Sequence, residues 1–170
     1  MDTSFISTPD LLGEAFKQGM RRLASTVTII ALRGGKDAQP MGMTVTAVTS
    51  LSVEPFSLLV CINRSSRMHE LLSIGTAFCV NLLSEGHDDL SFAFGGQLPQ
   101  EERFALGEWE LEEVPYLKDA QVNFACTVDA MFEYGTHSIV VGRIDAIRMP
   151  GEFAPLVFGD GRFLPTKGGA

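Results

Sequence analysis

Cysteine, basic residues and long apolar runs are all in short supply in this chain, and each shortage removes a class of protein. Among its 170 residues there are three cysteines, Cys61, Cys79 and Cys126, an odd and widely spaced set inside apolar runs. With no CxxC pair and no paired His beside them, they fit neither a disulfide framework nor a zinc site and are expected as reduced core residues. Thirteen Lys and Arg stand against twenty-one Asp and Glu, a net charge of -8. Such a balance repels polyphosphates, so neither nucleic acid nor an acidic membrane is expected as a partner. The stretch Met1 to Leu12 lacks the basic-then-apolar order of a secretion signal. No later stretch approaches the roughly 20 apolar residues of a membrane span, and a cytoplasmic protein is expected. Regular strand-helix alternation is also missing, which argues against a parallel nucleotide-binding fold.

What is present suits one compact domain over residues 1–170, with its core at about 14–163 and flexible tails, the 167–170 segment among them. Thr8-Pro9 reads as a helix start, and Leu12, Phe16, Met20 and Leu23 follow at helical spacing, predicting an amphipathic helix over 9–23. The pattern then changes to period two: Thr26 to Leu32, a Gly34-Gly35 turn, one strand from Met41 to Val53, a Glu54-Pro55 turn, and Phe56 to Ile62. Short helices at about 67–73 and 88–94, stopped by Gly75 and Gly95-Gly96, flank a strand over 77–83. Residues 97–106 have no clear period and read as an excursion at the surface or at a subunit contact. From Val122 to Tyr134 alternation predicts a core face of Val122, Phe124, Cys126, Val128, Ala130, Phe132 and Tyr134, with Asn123 and Thr127 on the wet face. Strands over 137–149 and 156–158 complete a mainly β chain, expected as an antiparallel barrel with one N-terminal helix and short flanking helices.

Two stretches carry candidate chemistry. Within Met41 to Val53, Thr44, Thr46, Ser50 and Ser52 alternate with mostly apolar residues, placing a column of hydroxyls on one strand face. That face is open to two readings, an ordinary solvated surface or a wall against the flat edge of a ligand, whose carbonyls and hydroxyls such groups can serve as donor or acceptor. The second stretch, Asn63-Arg64-Ser65-Ser66-Arg67, opens a helix after a buried strand. It reads either as solvent-exposed arginines or as an anion site, since a positive charge in a first turn opposes the helix dipole unless a phosphate is bound. His69 and His87 have bland explanations, and Trp109 is expected to anchor an edge strand.

The run Met41-Gly-Met-Thr-Val-Thr-Ala-Val-Thr-Ser-Leu-Ser-Val-Glu-Pro55, followed by Leu58 to Ile62, resembles the flavin reductase family. These are the NAD(P)H-dependent reductases that feed two-component flavin monooxygenases. The resemblance continues through Arg67 to Leu72, Phe78 to Leu82, Ser91 to Ala93, Gly135 to His137 and Pro155 to Phe158, covering about Phe16 to Arg162. It implies a split β-barrel homodimer that binds FMN or FAD and passes hydride from the C4 of NADH or NADPH to flavin N5, supplying a partner monooxygenase. It also implies flavin contacts from Thr44, Thr46, Ala47, Val48, Thr49, Ser50 and Ser52, a phosphate near Ser65, Ser66 and Arg67, and Cys61 and Phe94 nearby. The family's Gly-Asp-His turn, associated with the nicotinamide nucleotide, reads Gly135-Thr136-His137 here. His137 is therefore expected at that nucleotide without its neighbouring carboxylate. The rival readings are a split-barrel flavoprotein of the pyridoxamine-phosphate oxidase type and a non-enzymatic flavin carrier or sensor.

Overall fold

A computed structural model describes residues 5–35 and 37–166; the tail expected at 167–170 lies outside the described residues. Helix α1 (Pro9–Arg21) starts where Pro9 supplies a ready-made helical φ, with Asp10 in its first turn and Arg21 in its last complementing the dipole. Thr8 caps it through its backbone carbonyl, 3.0 and 2.9 Å from the N–H groups of Leu11 and Leu12, and not through its side chain. None of its residues is buried, and Phe16 remains 64% exposed. No helix among the described residues is long and apolar enough to cross a membrane.

The chain then runs through β1 (Ser25–Thr26), β2 (Thr28–Gly34), β3 (Gln39–Val45), β4 (Val48–Val53), β5 (Phe56–Asn63), α2 (Arg67–Leu71) and β6 (Ala77–Leu82). It continues with α3 (Asp88–Phe92), which widens into a π-helical turn at Ala93–Gln97, then α4 (Gln100–Arg103), β7 (Trp109–Glu110) and β8 (Tyr116–Leu117). The long β9 (Val122–Tyr134) and β10 (His137–Arg148) precede β11 (Val157–Gly159) and β12 (Arg162–Leu164). The wide turn accommodates Gly95-Gly96 where the sequence predicts a plain helix end, and the φ of 113° at Gly96 closes it.

Seven strands form one antiparallel sheet in the order β3-β2-β6-β9-β10-β5-β4. The hydrogen-bonded ladder does not close: β3 and β4 are its two edges, although they are consecutive in the chain. The mainly β expectation holds; the hydrogen-bonded ladder by itself does not close into a barrel, and the single strand expected over 41–53 is two strands. The break falls at Thr46-Ala47, where the N–H of Val48 turns back to the carbonyl of Thr46 and the carbonyl of Ala47 accepts from the N–H of Cys61. In two residues the chain therefore leaves the edge beside β2 and joins the edge beside β5.

The sheet curls around one cluster to which six strands contribute, including Ile30, Leu32, Met41, Val60, Ile62, Phe78, Val80, Val128 and Val140. A second cluster gathers Val27, Ile29, Leu83, Leu90, Phe94, Leu117 and Leu156 outside it. Strand β9 borders both, which corrects its expected faces. Cys126 and Val128 are buried as expected, but Asn123 from the polar face is only 4% exposed, while Phe132 and Tyr134 are exposed. The reason is length: β9 pairs with β6 only from Val122 to Thr127, and beyond that point only β10 accompanies it past the core. All three cysteines are free, Cys61 half-buried and the others buried. Burial, reinforced by Asp145, pushes the Cys126 thiol up to about 12, and burial together with Cys126 pushes the Cys79 thiol up further.

The most deeply placed amide of this core is fully satisfied. Asn81, completely buried, donates to the carbonyl of Ile29 at 3.0 Å. Its Oδ1 accepts from the N–H of Leu117 at 2.8 Å and from Asn123 Nδ2 at 2.9 Å, and Asn123 also donates to the carbonyl of Leu117 at 3.0 Å. One amide thus joins β2, β6, β8 and β9. Asn81→Leu strands the Leu117 N–H in an apolar setting, at a cost of about 1 to 3 kcal/mol. We expect a loss of stability of about that size, read from urea unfolding followed by circular dichroism.

Candidate functional site

The break between β3 and β4 opens a cavity of about 570 Å³. Thr46, Val48, Thr49, Ser50 and Ser52 line it, facing an apolar wall that includes Leu58, Phe124, Ile144 and Ile147. Thr46 and Ala47 also border a neighbouring cavity of about 520 Å³ beneath α1, with Phe16, Met20 and Phe158. Thr44 stands apart from both: its hydroxyl donates to the carbonyl of Ser91 at 2.7 Å, tying β3 to α3. The hydroxyl of Ser52 is also committed in part, donating to the Glu54 carbonyl and accepting from its N–H, both at 3.0 Å.

The Asn63–Arg67 turn differs from its sequence reading. Asn63 Oδ1 accepts from both the N–H and the hydroxyl of Ser65 at 2.9 Å. The hydroxyl of Ser66 donates to the Asn63 carbonyl at 2.7 Å and accepts from the N–H of His69 at 3.2 Å. The turn thus consumes both hydroxyl hydrogens, and α2 is only five residues long. Both serine hydroxyls are engaged within the turn, and Arg67 is the cation there without an ion-pair partner among the described residues. Arg64 is engaged, 2.9 Å from the Glu133 carboxylate and 3.4 Å from the Gly135 carbonyl.

Arg67 and Ser66 instead line a cleft of about 350 Å³, opposite Phe94, Gly95 and Gly96, with Met41, Gly42 and Met43 as its floor and Gln100 and Arg103 at its far side. No acidic residue among the described residues lines it. Gly42 is required there, because a Cβ would sit 2.5 Å from the Phe94 ring. Phe94 itself is 1% exposed and packs edge-on to Phe104 and tilted against Trp109, so it is a core residue at the rim of the cleft. Arg103 donates from Nε to the Leu98 carbonyl at 3.0 Å, and from one terminal nitrogen to the Gly42 carbonyl at 3.0 Å and Gln100 Oε1 at 2.9 Å. Burial lowers its pKa from the ordinary arginine value, opposed by the charge of Glu101. Gln100 and Arg103 escape sequence reasoning: they lie in the aperiodic 97–106 segment, and an i, i+3 Gln-Arg spacing is their only local signal.

His137 opens β10, exposed, opposite Asn63 on one side and Tyr134 on the other. The hydroxyl of Thr136 lies 2.9 Å from its Nδ1. Thr136 thereby orients the imidazole and leaves Nε2 free. The Arg64 N–H to Thr136 carbonyl bond, 2.9 Å, fixes this hairpin end to the Asn63–Arg67 turn. Cys61 lies beside Ala47 through its N–H bond of 3.1 Å.

The structure therefore brings Thr46, Val48, Thr49, Ser50 and Ser52 around one cavity, and Ser66, Arg67 and Phe94 around another. Thr44, Cys61, Ser65 and His137 line neither. Strand β5 links the two, because Ser50 pairs with Leu58 at one end and Asn63 begins the turn at the other, five residues apart and about 16 Å of strand. The donor set fits a phosphorylated flavin. The larger cavity falls within the roughly 300 to 1,000 Å³ of small-molecule sites and combines an apolar wall with hydroxyls. The acid-free cleft carries two guanidiniums in an otherwise acidic chain.

Comparison with known proteins agrees. The chain is 40% identical over 161 residues to the reductase component of the FADH2-dependent resorcinol hydroxylase of Rhizobium sp. strain MTP-10005, covering 94% of this chain and 90% of that protein. It is 37% identical over 158 residues to the FMN reductase (NADH) RutF of Variovorax paradoxus strain S110, covering 91% and 87%. Among solved structures, the styrene monooxygenase flavin reductase of Pseudomonas putida S12 superposes with a TM-score of 0.81 at 26% identity, covering 91% of this chain and 99% of that one. The model of the flavin reductase like domain matches residues 20–167, and the chain belongs to that family.

Proposed function

We propose that this protein oxidises NADH and reduces FMN or FAD, releasing reduced flavin to a partner monooxygenase. The observation that carries the reading is the cavity at the β3–β4 break, lined by Thr46 to Ser52, in a chain 40% identical to the reductase component of a hydroxylase. Bound there, a flavin supplies the N5 that accepts hydride from nicotinamide C4. The residues of this chain hold and orient. Val48, Leu58 and Ile144 offer an apolar wall for one side of a flat ring, and Thr46, Thr49 and Ser50 offer hydroxyls to its polar edge. Strand β4 is a sheet edge; the Val48 N–H is taken by the Thr46 carbonyl, which leaves the outward-facing N–H of Ser50 as the backbone donor toward the ring. Arg67 takes the phosphate, and the free Nε2 of His137 meets the nicotinamide nucleotide. No acid-base dyad is needed, since the reacting groups belong to the two cofactors.

The finer architecture that accompanies this reading is a split barrel, supported by a curled sheet whose two edges are successive in the chain. The chain acts as a homodimer. Val53 and Phe56, where β4 meets β5, and Phe132 and Tyr134, at the far end of the same sheet on β9, stand 81%, 65%, 59% and 84% exposed, two apolar patches that a second copy covers. Light scattering should return the mass of two chains, and a monomer mass at working concentration removes the dimer from the proposal.

Two further outcomes test the site. With purified protein in air, NADH oxidation followed by absorbance should require added FMN or FAD, and Ser50→Phe should raise the dissociation constant for flavin at least tenfold by filling the cavity. Flavin binding without NADH oxidation would instead favour the carrier or sensor reading. His137→Ala should raise KM for NADH several-fold while leaving KM for flavin within about twofold; equal changes in both would return His137 to a packing role.

A further inference from the structure

His69 joins two segments that each carry a residue of the proposed site. Its Nε2 lies 2.8 Å from the hydroxyl of Ser138, so in either tautomer one hydrogen bond spans from α2 to β10. Ser138 is completely buried, and His69 is the one partner of its hydroxyl among the described residues. A buried hydroxyl with a single side-chain partner depends on that partner. The backbone of His69 is held as well, its N–H donating to the hydroxyl of Ser66 at 3.2 Å and to the Ser66 carbonyl at 3.0 Å.

The residues beside this bond are those of the site. Arg67 stands two positions before His69, and His137 one position before Ser138. Two residues along a helix, like one along a strand, turn a side chain to roughly the opposite face. His69 and Ser138 meet on the inner side, where Met68 and Leu72 join Ile62 and Val140 in the core, while Arg67 and His137 are exposed. The turn before α2 is tied to the same hairpin end by the Arg64 N–H on the Thr136 carbonyl and by the Arg64–Glu133 ion pair, both 2.9 Å. Among the described residues, the polar contact that ties α2 itself to β10 is the one between His69 and Ser138.

We infer that His69 and Ser138 form a clasp that fixes Arg67 and His137 at one separation, and that both are positioning residues for hydride transfer. The inference rests on the reading above, in which Arg67 takes the flavin phosphate and His137 meets the nicotinamide nucleotide. When two reactants are held by different segments, the rate depends on their mutual placement, and an error of about 1 Å can cost about a hundredfold. Without the clasp each segment keeps its own ligand contact and loses only the common frame. The loss therefore falls on the transfer step and not on flavin affinity.

The test is anaerobic stopped-flow reduction of bound FMN or FAD by saturating NADH, followed by loss of flavin absorbance. It compares the full chain with His69→Leu, Ser138→Ala, the two combined, and His69→Gln, which keeps a polar atom within reach of Ser138. Thermal melts establish that the variants fold, and calorimetry gives their flavin affinity. His69→Leu and Ser138→Ala should each lower the rate constant for reduction at least tenfold, with the flavin dissociation constant changed less than threefold. The combined variant should be no slower than the slower single one, because one bond is lost only once. His69→Gln should stay within threefold of the wild-type rate constant. A smaller folded fraction lowers the amplitude of the trace and leaves its rate constant, so a loss of amplitude alone overturns the inference. Additive losses in the combined variant overturn it too, as do wild-type rate constants in both single variants, which leave the flavin site standing. A wild-type protein whose flavin NADH does not reduce refutes that site and the clasp together, a result distinct from the others.

Discussion

The buried amide of Asn81 is the constraint on which the rest depends. The core sheet would stand without a polar group at its centre, but its outer face needs a reason to hold β8 at one height. Asn81 supplies it by accepting the Leu117 N–H while Asn123 donates to the Leu117 carbonyl. From Leu117 the β7–β8 pairing positions Trp109, which packs tilted against Phe94 and edge-on to Phe104. Phe94 in turn presses on Gly42 in the cleft floor. A side chain far from any ligand thus sets the height of one wall of the cleft. Burying it is favourable only because its hydrogen-bonding capacity is met; a half-satisfied amide there would cost more than leucine.

The second organising feature is the two-residue passage at Thr46-Ala47. A continuous strand would pair along one neighbour and place its hydroxyls on one solvated face. Passing from β2's edge to β5's edge leaves the sheet open along that line. The opening is where Thr46, Thr49 and Ser50 find a cavity to face. It also leaves β4 with unpaired backbone groups, ordinarily a liability at a sheet edge and here a source of donors beside a ligand.

Electrostatics divides the surface. The chain is acidic overall, and its surface arginines at 64 and 143 are matched to carboxylates. The two that line the cleft are not. Arg67 is exposed and Arg103 half-buried, so what distinguishes them is the absence of a competing carboxylate partner among the described residues, and local pairing marks where an anion goes better than net charge does. The Thr136 hydroxyl at His137 makes a related point: a neutral side chain can hold an imidazole in place without a carboxylate.

Much of this was legible in the sequence. Period-two runs located the long strands, with β9 matching from Val122 to Tyr134, because alternation follows directly from which side chains a half-buried strand must hide. Thr8-Pro9 marked the start of α1, because local backbone geometry suffices to begin a helix. The hydroxyl residues of the 41–53 run and the Asn63–Arg67 turn were visible as candidate chemistry because residue type and spacing alone expose them. Other features required the folded chain. The break at Thr46-Ala47, the burial of Asn123 and the commitment of the Ser65 and Ser66 hydroxyls depend on partners distant in sequence or on turn geometry that residue type does not encode. Gln100 and Arg103 belonged to a segment without periodicity, and only the approach of β3, 61 residues earlier at Gly42, gave them a cleft to face. Local pattern determined the elements and their polarity; tertiary structure decided which polar groups were left unpaired, because pairing is settled between segments and not within them.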